Sequence, residues 1–242
     1  AGVLTTLHSF SGTSSTPSPV GALLQASDGN FYGMTNAGGA TYGAGTVFRL
    51  TSAGVFTELV AFSGANAVDS PTEGVRPRGS LTERTEGSVK YLYGVLEQSG
   101  TGGYGRIFKF PLPAANAVTV SPQTVVRFTG TVGAAKGSLP KSGLRLANDG
   151  ALYGTANQGG TQGYGTLYRI SAAGVFSTVY EFPADPAIAG GSPFGAPVQG
   201  SDGFLYGTTT RNGGGVYRIS TSGTGAALIT SYATSGPMGQ AP

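Results

Sequence analysis

Three tyrosines mark the places where this sequence could do chemistry. Tyr42, Tyr104 and Tyr164 each sit in a glycine-rich stretch, "ATYGAG", "GGYGR" and "QGYGT". A fourth copy, "RNGGGVYRIS", lacks the ring and offers Arg211 and Asn212 instead. A few residues upstream stand Asn36, Glu97, Asn157 and Thr210. Rings with amides and hydroxyls beside them suit sugar recognition, because the ring supplies apolar area and the polar neighbours fix orientation. The same rings can instead pin their own loops to the scaffold, and repetition in successive copies suits that role. Both readings stay open.

Other chemistry has less material. Glu83, Glu86 and Glu97 lie close in sequence and can be tried as an acid/base pair for a glycosidase or lyase, but they fall on or near a hairpin extension. The single histidine, His8, is far in sequence from any obvious nucleophile, so nothing positions a Ser–His–acid set. Asp28, Asp149 and Asp202 each bring one carboxylate to a turn, whereas calcium takes about six to eight oxygens. They are expected to serve the turns. Arg49, Lys109, Arg169 and Arg218 recur at one position, where their stems can cover strand surface while the charges stay in water. No catalytic residue, metal ligand or cofactor is assigned.

The elements that hold these residues are repeats. "SDGNFYG" (27–33) returns as "NDGALYG" (148–154) and "SDGFLYG" (201–207), with a stretched cousin, "EGSVKYLYG", at 86–94. Alignment on Tyr32, Tyr93, Tyr153 and Tyr206 gives intervals of 61, 60 and 53 residues. Within the first unit four β-rich runs alternate with turn chemistry: "GALLQAS" (21–27), "NFYGMT" (30–35), "GTVFRLT" (45–51) and "VFTELVAF" (55–62). Asp-Gly between the first two is a strong hairpin signal, since a type I′ turn needs positive φ at its centre. Four antiparallel strands joined by tight turns, and repeated, predict an all-β propeller or propeller-like array of about four blades. The chain reads as one repeat domain over 1–242, with units at 21–62, 79–128, 143–182 and 195–232 and a tail at 233–242.

The turn, the glycine-rich loop, "GTVFRL" and the T-x-L-x-x-F strand together resemble the GloVer-type tandem repeats of secreted bacterial proteins. The resemblance runs over essentially the whole chain. It implies export and surface attachment through varied C-terminal anchors, and it carries no catalytic residues. The second unit departs from the pattern through its lengthened hairpin, and no anchor is visible at the C-terminus.

Composition agrees with an exported protein. Only 10% of the 242 residues are charged, against roughly 25% in an average soluble domain, and 43 are glycine. There is no cysteine, so disulfides and thiolate metal sites are excluded. A net charge of +3 without any run of Lys or Arg argues against nucleic acid as a partner. No apolar segment approaches the roughly 20 residues of a membrane span. The first residue is Ala rather than Met, as in a processed export product, and the expected location is extracellular or on the cell surface.

The strand count is uneven. Five runs resemble the outer strand of a unit, at 3–10, 55–62, 124–128, 175–182 and 227–232, but there are four sets of inner strands. The surplus run, with Leu4, Thr6, Leu7, His8 and Phe10, can pair with the edge at Leu228, Ile229 and Tyr232 of a neighbouring copy. Such donation does not close on itself. The expectation is therefore a structural subunit that assembles head to tail into a fibre or surface layer. The alternative is a monomeric surface module that binds glycan through its long loops, and its candidate residues are Tyr42, Tyr104, Tyr164, Asn36, Asn157, Arg211 and Asn212.

Overall fold

The computed structural model describes residues 2–10, 18–39, 43–64, 74–99, 102–184 and 190–232. Within these residues lie four antiparallel sheets of four strands, each sheet in simple sequential order. The first holds β1 (Pro19–Gln25), β2 (Phe31–Thr35), β3 (Thr46–Leu50) and β4 (Phe56–Ala61). The second holds β5 (Val75–Glu86), β6 (Val89–Gln98), β7 (Arg106–Pro111) and β8 (Gln123–Arg127). The third holds β9 (Arg145–Leu146), β10 (Leu152–Ala156), β11 (Thr166–Ile170) and β12 (Phe176–Glu181). The fourth holds β13 (Pro193–Gln199), β14 (Leu205–Thr209), β15 (Gly215–Ile219) and β16 (Ala227–Ser231). The one helical element among the described residues is a single 3-10 turn, Arg211–Gly213.

The repeated Tyr-Gly pair explains how these sheets stack. Successive residues of a strand point to opposite faces, so the tyrosine and the glycine serve different neighbours. On one face, Gly33, Gly94, Gly154 and Gly207 lie opposite the third-strand aromatics Phe48, Phe108, Tyr168 and Tyr217. The far end of each ring lies against its glycine: a Cβ at Gly94 would sit 2.4 Å from Phe108 Cζ. On the other face, Tyr32, Tyr93 and Tyr153 are fully buried.

The core lies between sheets. One apolar cluster joins Tyr32, Val47, Leu59 and Phe62 of the first blade to Leu81, Leu92 and Phe108 of the second. A second cluster joins Tyr93, Ile107 and Phe128 to Leu152, Tyr168 and Ile170 of the third. A third joins Tyr153, Leu167 and Phe182 to Leu205, Tyr217 and Ile219 of the fourth. At each seam the ring that ends one outer strand meets the third-strand ring of the next blade. Phe62 meets Phe108 at 5.4 Å, Phe128 meets Tyr168 at 5.1 Å and Phe182 meets Tyr217 at 5.1 Å. Full burial of a side chain of this size contributes about 1.5–3 kcal/mol.

The first strands of successive blades touch backbone to backbone. A Cβ on Gly21 would lie 2.4 Å from the Gly79 carbonyl carbon, and one on Gly79 would lie 1.9 Å from the Gly143 nitrogen. Gly79 also has φ +65°, so glycine is required there on two counts. The pairing of the first strand with the second shifts register around this position in the first, second and fourth blades. That is how a bulge turns a strand toward a neighbour. At the rim, Gly45, Gly105 and Gly165 each seat the proline that begins the next blade, with Pro77, Pro140 and Pro193 Cδ at 2.5, 2.7 and 2.5 Å from the Cβ a larger residue would carry.

Candidate functional site

The short-turn end is structural. Asp28 accepts a hydrogen bond from the Asn30 N–H at 3.0 Å and from the Tyr32 hydroxyl at 2.8 Å. Asp149 does the same with Ala151 N–H and Tyr153, at 3.0 and 2.9 Å, and Asp202 with Phe204 N–H and Tyr206, at 3.2 and 2.6 Å. The D-G-x-x-Y spacing is thus a clasp that closes a turn and orients a seam tyrosine. In the second blade Glu86 takes the aspartate's place, accepting from Tyr93, Arg84 and Lys109. Burial alone would raise the Glu86 carboxyl, but the hydrogen bonds from Arg84, Lys109 and Tyr93 outweigh it and hold it at about 2. Burial, then the bond to Asp149, pushes the Tyr153 hydroxyl up to about 12. The basic position is less uniform than expected. Arg49 is buried and donates to the carbonyls of Ala114 and Ala117, both at 3.0 Å.

The acid/base trio does not assemble. Glu86 begins the β5–β6 turn and Glu97 ends the same hairpin; the rise from Val89, which pairs with Glu86, to Glu97 is about 26 Å of strand. Glu83 is occupied by the Ser27 N–H at 2.8 Å. Paired glycosidase carboxyls stand about 5–9.5 Å apart, so Glu86 and Glu97 cannot act together.

The long-loop end is more open. Tyr104 keeps 40% of its surface exposed, while glycine backbone lies against its ring: Cβ atoms at Gly102 and Gly130 would come within 2.2 and 2.9 Å. Its carbonyl accepts from the Leu139 N–H of the next blade at 3.0 Å. At the end of β6, just before this loop, Glu97 is almost fully buried and accepts from Arg78 Nε at 2.8 Å and Nη2 at 2.6 Å. This ion pair, with both donors on one carboxylate oxygen, was not anticipated from the sequence, and its only signal was an acid at the position of Asn36 and Asn157.

The structure brings Tyr164 and Arg211 together, with the guanidinium 3.8 Å above the ring centroid. Tyr164 packs against the third seam. Asn157 is buried and its Nδ2 donates to the Pro193 carbonyl at 3.2 Å, so its amide holds the next blade's entry. Asn36 is half-buried, and its N–H donates to Ser18 at 2.9 Å. Asn212 is exposed with φ 52°. Tyr42 lies outside the described residues.

The residues assigned to assembly occupy other settings. Residues 2–10 form no strand. His8 stacks on Phe56 at 4.0 Å, Phe10 edges Phe48 at 5.2 Å, and Leu4 and Leu7 border a hollow of about 370 Å³ over the first blade. Thr6 lines the same hollow. Leu228 and Ile229 belong to β16, which pairs with β15 of its own sheet, and Tyr232 follows it.

Sequential four-stranded sheets stacked through seam aromatics define a propeller. Two overlapping stretches of the sequence, residues 1–138 and 71–242, match the Gloeobacter/Verrucomicrobia repeat, and the chain belongs to that family. No curated protein matched the sequence. Among solved structures, the chain is similar to the Hadza microbial sialidase Hz136, with 12% identity and a TM-score of 0.55, over 89% of this chain and 46% of the sialidase. It is also similar to the Penicillium chrysogenum alpha-L-arabinanase complexed with arabinobiose, with 13% identity and a TM-score of 0.50, over 88% of this chain and 66% of that one. The chain thus spans about half to two thirds of these neighbours' length, and what they share with it is the fold.

The expected structural subunit is corrected on these findings. The architecture is one found in carbohydrate-active propellers. The segment reserved for donation to a neighbour lies across its own first blade, with His8 stacked on Phe56 and Phe10 edge-on to Phe48.

Proposed function

We propose that this propeller engages carbohydrate at its long-loop end, through the loop of the second blade. The observation that supports the reading is Tyr104, a partly exposed ring held on glycine backbone in the loop that follows β6, the strand whose end carries Glu97 and its ion pair with Arg78. Such a ring stacks on a sugar face with little ordering cost, and the guanidinium, with part of its surface in water, offers donors to hydroxyls or a carboxylate. The sialidase and the arabinanase, both named for carbohydrate substrates, favour the same ligand class. The low charge and the repeat family favour an exported protein that meets its glycan outside the cell. A glycan array probed with the purified protein tests the reading, and Tyr104→Ala is expected to lose retention while keeping its circular dichroism and melting. Retention unchanged by that substitution, or no retained glycan at all, ends it.

Cleavage is the second reading, favoured by the shared fold. Among the described residues at the long-loop end of the second blade, Glu97 at the end of β6 is the carboxylate available to it, and Asp69 and Glu73 lie outside the described residues. Release of reducing ends from arabinan, xylan and sialylated glycans, abolished by Glu97→Gln, is its expected signature. Release that survives the substitution removes Glu97 from the chemistry.

A further inference from the structure

The two outward faces of the array carry the parts of an inter-blade seam without its other half. On the fourth blade, Tyr206 occupies the position of the fully buried Tyr32, Tyr93 and Tyr153 but is partly exposed. Tyr232 stands where Phe62, Phe128 and Phe182 are buried, and 44% of it is open. Gly214 precedes the third strand as Gly45, Gly105 and Gly165 do, yet the atoms nearest its Cβ position belong to Thr209 and Thr210, and no proline among the described residues is seated there. Gly195 has φ +96° like its bulge counterparts Gly21 and Gly79, and among the described residues nothing lies within 4 Å of its Cβ position. A shallow hollow of about 290 Å³ between Phe194, Val198, Tyr206 and Val216 marks the uncovered surface.

The first blade shows the complementary deficiency. Phe10 meets Phe48 at 5.2 Å, close to the separation at every internal seam. Residues 2–10 therefore supply the outer strand of a blade that would precede the first. They pair with no third strand among the described residues, and Val3 and Leu4 stay more than nine-tenths exposed. Leu23 and Leu50 beneath them face the 370 Å³ hollow, which the inner strands of a neighbouring blade fill at the other seams.

We infer that the faces of the fourth and first blades together form a docking site for one three-stranded unit of this same repeat. The partner is specified by the contacts it must complete. It begins with a proline that seats on Gly214, places a bulge near Gly195, carries glycine opposite an aromatic in its second and third strands, and lays that aromatic against Tyr232. Its third strand pairs with residues 3–10, which become the outer strand of the completed blade. Edge main-chain groups that otherwise face water are covered in the process. The continuity of these two faces with three established seams is what selects this partner over an unrelated protein or a lipid surface.

A direct test adds such a unit. The full chain is compared with the chain carrying residues 140–171 copied after a flexible C-terminal linker, and with a control whose copied segment has Gly154→Val and Tyr168→Asp. Amide hydrogen exchange is expected to slow about tenfold or more in both 3–10 and 215–231 with the true copy, and in neither with the control. Unchanged exchange across 92–110 reports that the internal seams of every variant are folded. The inference is overturned by slowing at one end alone, by equal slowing with the control, or by no slowing. It is also overturned if the unextended chain already protects both ends while doubling its mass with concentration, because a second copy would then be the occupant.

Discussion

The three internal seams and the outer face of the fourth blade are built from the same residue types and behave as different materials. Phe128 and Tyr232 end equivalent strands, but the first is 4% exposed and the second 44%. Tyr153 and Tyr206 make the same clasp to an aspartate, one with its ring fully buried and one with its ring part-covered. What separates them is the presence of a following blade. The apolar residues of a blade therefore stabilise it only through its neighbours, as in other repeat architectures.

The sharpest way to break this comparison is to truncate the paired rings. Phe128→Ala is expected to cost about 3–5 kcal/mol in urea unfolding, whereas Tyr232→Ala costs below about 1. Equal losses would mean the fourth face is covered in solution. Next in size, Gly79→Ala and Gly195→Ala both place a side chain at positive φ, at about 1 kcal/mol each. Gly79→Ala is expected to lose about 1–3 kcal/mol more, because its methyl meets the Gly143 backbone.

Acid unfolding distinguishes the clasps by charge. The Glu86 carboxyl is lowered from 4.5 to about 2, so its stabilisation is complete above about pH 4.5 and is lost as the pH falls toward 2. Glu86→Gln is expected to flatten the stability profile in that window, while Asp202→Asn, on the open face, changes it less. A profile identical to the parent's would remove the second-blade network from the account. The smallest effect is a gain. Among the described residues the buried Tyr168 and Tyr217 hydroxyls find no hydrogen-bond partner, where the first two blades use phenylalanine. Tyr168→Phe is expected to stabilise the protein by about 1 kcal/mol, measured by the same urea titration.

Much of the architecture was legible because its signals are local. Asp-Gly fixes a turn, alternation fixes a strand, and repetition of both gave four blades of four strands. The clasp was half legible: the aspartates read as turn residues, but the tyrosine hydroxyl four positions on becomes a partner only once the hairpin closes. Glu86 was obscured because its longer hairpin shifts the spacing to Tyr93. Residues 3–10 were half legible. Their pattern matches an outer strand because Phe10 packs as one, and the strand count shows them to be surplus, but a count does not show that the segment rests on its own first blade without forming a strand. The loop pairs, Arg78 with Glu97 and Arg211 with Tyr164, join residues 19 and 47 positions apart, distances over which a repeat alignment carries no information.

Placing the apolar clusters between sheets also sets an order of events during synthesis. A blade leaving the ribosome has nothing to bury its tyrosine face against until the third strand of the following unit has been made, some 60 residues later. At about 5–20 residues per second that is a wait of roughly 3–12 s, long beside the microseconds in which a hairpin forms. Each unit thus spends seconds as a clasped but uncovered sheet, and the low charge and glycine-rich loops leave it few means of repelling another nascent chain. The interval to the next tyrosine is, in that sense, a clock for exposure, and slowing translation within a unit should lower the yield of soluble protein more than slowing it between units.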